Sequence, residues 1–155
     1  MAHYELAQLN IAVAKYPLDS PLMAPFMDNL DRINTLAEAS PGFVWRLQDD
    51  AGNATALRPF GEETLVNLTV WQDVASLRAY VYQSEHAAFM RRRREWFEHL
   101  SEAYTVLWWV PMGHRPMPQE AAERLELLRR DGPTPAAFTF RIDFSPPATG
   151  GPGRA

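Results

Sequence analysis

Alternation of apolar and polar positions divides this chain into short strands separated by amphipathic segments. Period-two patterns and β-branched runs predict strands at 3–12, 43–48, 64–71, 104–110 and 137–144. The third run is the richest in β-branched residues, and the last is expected at an edge of the sheet. A polar loop over 49–61, with Gly52-Asn53 as its turn, is predicted between the second and third strands.

Apolar residues at helical spacing predict the helices that join these strands. The predicted helices run from Ser20 or Ala24 to Pro41, from Asp73 to Tyr82, from Ser84 to Leu100, and from Glu120 to Arg130. Ser84 and Asp73 are residues that cap helix N-termini, and proline is tolerated in a first turn. Gly132 and Pro133 end the last helix.

The order of elements is βαββαβ followed by an αβ extension, which predicts an α+β, ferredoxin-like fold. Helices cover one face of the antiparallel sheet. The third and fourth strands are apolar on both faces, so a second copy of the chain is expected to cover the other face. We therefore predict a homodimer, a dimeric α/β barrel, in which residues 1–144 form a single domain and 145–155 a disordered tail.

Composition narrows the function classes. The chain has 155 residues, 46% of them hydrophobic, and a net charge of -4 that argues against a nucleic-acid partner. It has no cysteine, which excludes disulfides, thiol nucleophiles and thiolate metal sites. The sequence shows no signal peptide and no apolar run long enough to span a bilayer, so a cytoplasmic location without membrane contact is expected.

The predicted helix from Ser84 to Leu100 places two polar residues within its apolar face. On a helical wheel His86 and Arg93 lie 20° apart, in the middle of the face formed by Phe89, Met90, Trp96, Phe97 and Leu100. Burial of a lone guanidinium is costly. Arg93 therefore needs a carboxylate, a set of carbonyls or an anionic ligand.

Two interpretations of these residues stay open at this point. In the structural one, Arg93 pairs with a buried acid such as Glu5, and His86 donates a hydrogen bond to a backbone carbonyl. In the functional one, His86 performs acid–base chemistry or ligates a metal, because histidine titrates near neutral pH.

Other candidates lie on the strands and on the loop after the fourth strand. His114 follows Gly113 in a loop of the kind that often carries sites. Trp108 and Trp109 are adjacent on a strand and point to opposite faces. The polar residues inside strands are Gln8, Asn10, Asn67 and Thr69. The histidines lack a close ligand spacing such as His-x-x-x-His, so no metal site is predicted.

Four segments resemble a family of bacterial proteins of unknown function. They are NLTVW at 67–71, SEHAAFMRRRREWF at 84–97, LWWVPMGHRP at 107–116 and GPTPAAFTF at 132–140. That family is placed among the dimeric α/β barrels, so the resemblance implies this fold and a dimer. The wider superfamily holds antibiotic-biosynthesis-type cofactor-independent monooxygenases, isomerases and cyclases, haem-using enzymes and non-catalytic stress proteins, and the fold does not choose among them.

The leading hypothesis is a small-molecule enzyme, monooxygenase-like and free of cofactor, with a cavity between the helices and the sheet. The catalytic candidates are His86, Arg93 and His114, and those that bind a partly apolar substrate are Asn67, Phe89, Met90, Trp96, Phe97 and Trp109. Haem bound through His86 or His114 is the alternative cofactor. A non-catalytic ligand-binding or stress-response protein is the third hypothesis, and it predicts a paired Arg93 and no cavity.

Overall fold

The structure is a computed structural model that describes residues 3–48, 64–84 and 86–147, and the side chain of Phe89 is outside the described part. The predicted loop at 49–61 and the tail beyond residue 147 lie outside the described residues. No helix in the described ranges is long and apolar enough to cross a membrane.

In the described residues, four antiparallel strands form the sheet. They are β1 (Tyr4–Val13), β2 (Phe43–Arg46), β3 (Thr64–Trp71) and β4 (Thr105–Pro111). Their order across the sheet is β2-β3-β1-β4. β1 pairs with both β3 and β4, so it lies in the interior of the sheet. This order and the βαββαβ connectivity confirm the predicted ferredoxin-like α+β fold.

Helices lie between the strands and after the last one. They are α1 (Ala24–Met27), α2 (Leu30–Glu38), α3 (Val74–Gln83), α4 (His86–Arg91), α5 (Arg93–Trp96) and α6 (Pro118–Asp131), with a 3-10 turn at Pro21–Met23. Asp73 caps α3 as predicted, because its side chain accepts a hydrogen bond from Ser76 N. Ser20 accepts a hydrogen bond from Leu22 N at the start of the 3-10 turn. The positive φ of Gly132 ends α6.

The two faces of the sheet differ in polarity. On β1, Leu6, Gln8 and Asn10 face the same way as Thr69 and Trp71 of β3, towards α1–α5. The alternate positions form an apolar cluster with residues of α6: Ala7, Leu9, Ile11, Val66, Leu68, Val70, Val106, Trp108, Val110, Ala121, Leu125 and Leu128. Period-two alternation along the strands produces this division.

The apolar face is therefore covered by α6 of the same chain, where the apolar pattern of the third and fourth strands predicts a second sheet. Leu9, Val70 and Trp108 are fully buried there without a second copy. Burial of these residues by α6 removes the argument that the face requires a partner. The homodimer stays a prediction.

The predicted helix from Ser84 to Leu100 is wrong at its end and in its continuity. It breaks at Arg92 and ends at Trp96. Phe97 is extended and bridges Ala14 beside β1, while Glu98 N donates to Val13 O at 2.8 Å. Pairing with the end of β1 competes with the helix and stops it there.

The predicted strand at 137–144 is also absent from the described residues. Phe138 and Leu107 exchange two backbone hydrogen bonds of 2.8 Å, which form an isolated bridge at the free edge of β4. The chain then turns, because Thr139 N donates to Ile142 O and Ile142 N to Thr139 Oγ1. The turn prevents a longer ladder.

Candidate functional site

A cavity of about 760 Å³ lies between α1–α5 and the polar face of the sheet. Much of its wall is apolar and aromatic: Phe26, Leu30, Ile33, Leu65, Met90, Trp96, Phe97 and Tyr104. Its volume falls within the range of small-molecule sites, which combine apolar walls with a few placed polar groups.

The floor of the cavity is the polar row of the sheet. Trp71 Nε1 donates to Thr69 Oγ1 at 2.9 Å, and the Thr69 hydroxyl donates to Gln8 Oε1 at 2.8 Å. These two consecutive hydrogen bonds fix the orientation of the Gln8 amide, with its oxygen as the acceptor. The Gln8 amide nitrogen donates to none of the described residues and is available to a ligand.

Asn10 lies two positions further along the same face. Its Oδ1 is buried and accepts no hydrogen bond from any residue in the described ranges. Leaving a buried acceptor without a donor costs about 1–3 kcal/mol. Such exceptions are rare in folded proteins, and an ordered water or a donor from a ligand would satisfy this oxygen.

His86 is the first residue of α4, and it lines the cavity. Its Nδ1 lies 3.4 Å from Val81 O, and its backbone N–H donates to Ser84 Oγ at 3.1 Å. The contact with Val81 O assigns the proton to Nδ1, which leaves the lone pair on Nε2. The ring packs 4.9 Å from the ring of Tyr80, which stacks on Trp71 at 5.2 Å.

Burial lowers the pKa of His86 below its usual 6.5, although the hydrogen bond to Val81 O raises it. Burial likewise raises the pKa of Tyr80 far above its usual range, against a lowering by Arg46. At neutral pH the cavity therefore contains an uncharged imidazole beside an uncharged phenol. Of these two groups, the imidazole is the one that can accept a proton.

The lowered pKa of His86 predicts a loss of stability in mild acid. Because the folded chain binds the His86 proton less tightly than the unfolded chain, unfolding is favoured as pH falls below about 6.5. We expect the unfolding free energy of the wild type to fall more between pH 7 and pH 5 than that of His86→Gln. Urea titrations at each pH measure this difference, and parallel curves for the two proteins would contradict it.

Arg93 lies at the start of α5 and also lines the cavity. Its guanidinium carbon lies 4.4 Å from the centre of the Tyr104 ring, a cation–π contact. No carboxylate in the described part of the chain pairs with it. Glu5, the acid suggested by the sequence analysis, instead accepts a hydrogen bond from Gly113 N at 3.0 Å and lies 3.5 Å from Arg115.

The structure brings most of the sequence-predicted site residues together. His86, Arg93, Asn67, Met90, Trp96 and Phe97 all line the cavity. The side chain of Phe89 lies outside the described part. Trp109 and His114 do not line the cavity.

Trp109 and His114 have other partners. Trp109 Nε1 donates to Phe144 O at 2.9 Å, beneath the irregular C-terminal segment. His114 Nε2 lies 2.7 Å from Glu120 Oε1, and Glu120 Oε2 accepts from the buried Trp108 Nε1 at 2.9 Å. Since Trp108 belongs to the α6 face, His114 lies across the sheet from His86.

Sequence reasoning did not single out Tyr80, Arg78 or Tyr104, which also line the cavity. Leu77 and Tyr80 are buried on α3 at an i,i+3 spacing, and that spacing was a usable signal. The position of Tyr104 under Arg93 depends on the end of α5, which the pattern did not give. The described residues contain no group of three His, Asp or Glu placed to hold a metal ion.

Fold and cavity together define a class: a ferredoxin-like α+β protein with a partly apolar cavity between its helices and its sheet. The chain belongs to the family described as "Domain of unknown function (DUF3291)", whose model matches residues 5–151. No curated protein matches it.

The solved structures that are similar to the chain include the following three. NE2512, a protein of unknown function from Nitrosomonas europaea, is 19% identical, with a TM-score of 0.47 over 75% of this chain and 96% of that one. SnoaB, a cofactor-independent oxygenase from Streptomyces nogalater, is 16% identical, with a TM-score of 0.45 over 76% of this chain and 99% of that one. PA3566 from Pseudomonas aeruginosa is 15% identical, with a TM-score of 0.43 over 74% of this chain and 98% of that one. Likenesses this distant assign no function to the chain.

Proposed function

We propose that this chain is a small-molecule enzyme in which His86 removes a proton from a partly apolar substrate held in the helix–sheet cavity. The observation that carries the proposal is the state of His86. Its imidazole is half-buried and uncharged at neutral pH, its Nδ1 lies 3.4 Å from Val81 O, and the residue lines the cavity, so Nε2 is left as the basic nitrogen. A general base needs these features.

Arg93 complements this base. Removal of a proton next to a carbonyl, or from a phenol, leaves negative charge on an oxygen. Arg93 lines the same cavity and has no carboxylate partner among the described residues, so its charge is available to that oxygen. A fixed cation at a partly buried position stabilises the developing charge more than it would in bulk water.

A cofactor-independent monooxygenation is the finer form of the proposal. Loss of a proton from an activated CH₂ group gives a carbanion, which transfers electrons to O₂. The carbon becomes C=O with one oxygen atom, and the other oxygen leaves as water, so no further reductant is required. A base and an oxyanion-stabilising cation are the protein groups that this reaction needs, and His86 and Arg93 supply both.

The test is proton abstraction itself. The wild-type protein is incubated in D₂O with aromatic ketones and phenols such as 1-tetralone and 1,3-dihydroxynaphthalene. Deuterium entry at the acidic carbon is followed by NMR, and oxygen uptake by an electrode. We expect exchange above the buffer rate for at least one compound. Absence of exchange for compounds shown by calorimetry to bind would overturn the proposal.

Haem binding is the alternative that the same histidine favours. A ligating imidazole commonly donates its other N–H to a carbonyl, as His86 does to Val81 O, and cavity arginines could pair with haem carboxylates. Titration with haem, followed by absorption spectroscopy, distinguishes the two. A Soret band that shifts in His86→Ala would support haem, and an unchanged free-haem spectrum would exclude it.

The non-catalytic hypothesis makes two structural demands, a paired Arg93 and a filled interior. Neither is met in the described residues, since Arg93 lies on Tyr104 beside a cavity of about 760 Å³. This comparison favours an enzyme over a non-catalytic protein. The catalytic role of His114, the homodimer and the cytoplasmic location stay predictions from the sequence.

A further inference from the structure

The charges around the cavity have one sign. Among the described residues that line it are four arginines and no aspartate or glutamate: Arg46, Arg78, Arg93 and Arg141. The whole chain has 15 basic and 19 acidic residues, so its average composition predicts the opposite sign. Acidic side chains are absent from the described cavity wall although they are abundant in the sequence.

Two of these arginines have acidic partners that do not line the cavity. Arg46 Nε lies 2.9 Å from Glu38 Oε2, and Arg78 lies 3.7 Å from Asp143 Oδ2 and donates to Phe140 O. Their charges are thus partly balanced from outside the cavity.

Arg93 differs from these two. It is half-buried, its guanidinium lies on the Tyr104 ring, and no described carboxylate approaches it. The electron-rich ring face attracts the cation but does not neutralise it. A partly buried cation without a counter-charge is unfavourable, and a ligand anion would remove that cost.

We propose that the cavity selects small organic carboxylates, with the carboxylate at Arg93 and an apolar or aromatic body along the adjoining wall. Guanidinium and carboxylate match in planar, two-point hydrogen bonding. Phe26, Met90, Trp96 and Phe97 provide the wall for the body. This inference rests on the proposed function in taking the cavity as the substrate site, and it adds the substrate's charge. The carboxylate occupies two of the five guanidinium N–H donors of Arg93, and the remaining donors are left for the oxyanion of the proposed reaction.

Other ligand classes fit the cavity less well. Organic cations would meet four positive charges and no acid in the described wall. Phosphate esters carry a more strongly hydrated charge and are typically held by backbone N–H groups at a helix N-terminus or a glycine-rich loop. Arg93 instead lies on the Tyr104 ring in a cavity whose wall is largely apolar, which favours a singly charged acid on an apolar skeleton.

The test compares 2-naphthoate with 2-naphthamide by isothermal titration calorimetry. The two compounds share a skeleton and differ in charge. We expect the wild type to bind the acid about 10-fold or more tightly than the amide, because hydrogen bonds between charged groups exceed neutral ones by that order. Arg93→Met should weaken naphthoate binding about 10- to 100-fold and leave naphthamide nearly unchanged.

Arg91→Met is the matched control. It removes the same charge from an exposed position on α4 that does not line the cavity, and it should leave both affinities unchanged. Arg93→Lys, which keeps the charge, should retain a preference for the acid. Circular dichroism verifies that each variant is folded.

Salt dependence tests the proposal without any variant. Raising NaCl from about 0.01 M to about 1 M shortens the Debye length from about 30 Å to about 3 Å. It should weaken wild-type binding of naphthoate and spare naphthamide. Equal affinities for the two compounds, equal losses in Arg93→Met and Arg91→Met, or binding of neither compound would overturn the proposal. These compounds need not react, so failure of the exchange assay leaves this result independent.

Discussion

Replacement of His86 by glutamine is expected to lower the deuterium-exchange rate of a bound substrate by about 10²- to 10⁴-fold. The glutamine amide N–H can still donate to Val81 O, as the imidazole Nδ1–H does in the wild type. It has no basic nitrogen to replace Nε2. Substrate affinity measured by calorimetry should change little, because the loss concerns proton transfer rather than binding.

The control for this experiment is His99→Gln. His99 is exposed in the segment after α5 and does not line the cavity, so its replacement should leave the rate unchanged. The pH profile gives a second readout. Because burial lowers the pKa of His86, the wild-type rate should hold below pH 6.5 before it falls. A His86→Gln rate within a factor of about three of the wild type would rule out His86 as the base.

Replacement of Gly42 by alanine is expected to lower the free energy of unfolding by about 3 kcal/mol or more. Gly42 has a φ of 84°, in the region that L side chains rarely adopt. A methyl group there would overlap Cβ and Oγ of Ser76 near the start of α3. Gly42 O also accepts from Gln72 N at 2.7 Å, so the backbone is held close to β3.

Gly113→Ala separates the cost of the positive φ from the cost of the steric overlap with Ser76. Gly113 has a φ of 91° but nothing within 4 Å of an added Cβ, so its replacement should cost only about 1–2 kcal/mol of conformational strain. Urea unfolding of both variants measures the difference. Adding Ser76→Gly to Gly42→Ala should recover part of the loss. Equal destabilisation of Gly42→Ala and Gly113→Ala would show that contact with Ser76 contributes nothing.

The sheet could be predicted from the sequence because its strands follow local patterns. β3 begins and ends where the β-branched run at 64–71 predicts, and β1 and β4 differ from their predicted bounds by one residue at each end. Two-residue alternation also placed Trp108 and Trp109 on opposite faces, and they have separate partners there. Local patterns sufficed for these elements.

The errors come from contacts between distant parts of the chain. Phe97 and Leu100 keep a helical spacing, but the backbone after Trp96 pairs instead with Val13 and Ala14 at the end of β1. At the C-terminus, Phe138, Phe140 and Phe144 pack on the core without a strand. A local sequence pattern carries no information about either of these contacts, because each joins segments that are far apart in the sequence.

The same division applies to the site. The spacing of His86 and Arg93 predicted that they share a face, and both line the cavity. His114 could not be placed, because its position depends on which face of the sheet α6 covers. Arg78 and Arg141 reach the cavity wall from elements that carried no candidate chemistry in the sequence analysis.

The break at Arg92 between α4 and α5 has a consequence for how this site can diverge. In a continuous helix, an inserted residue rotates every following side chain by about 100° and would turn Arg93 away from the cavity. At Arg92 the helix is already interrupted, and α5 is tied to the end of β1 through Phe97. An insertion or deletion at this break would therefore change the distance between His86 and Arg93 without rotating α5 against the sheet. Variation in chain length at this one position would alter the size of the cavity and leave the rest of the fold in place.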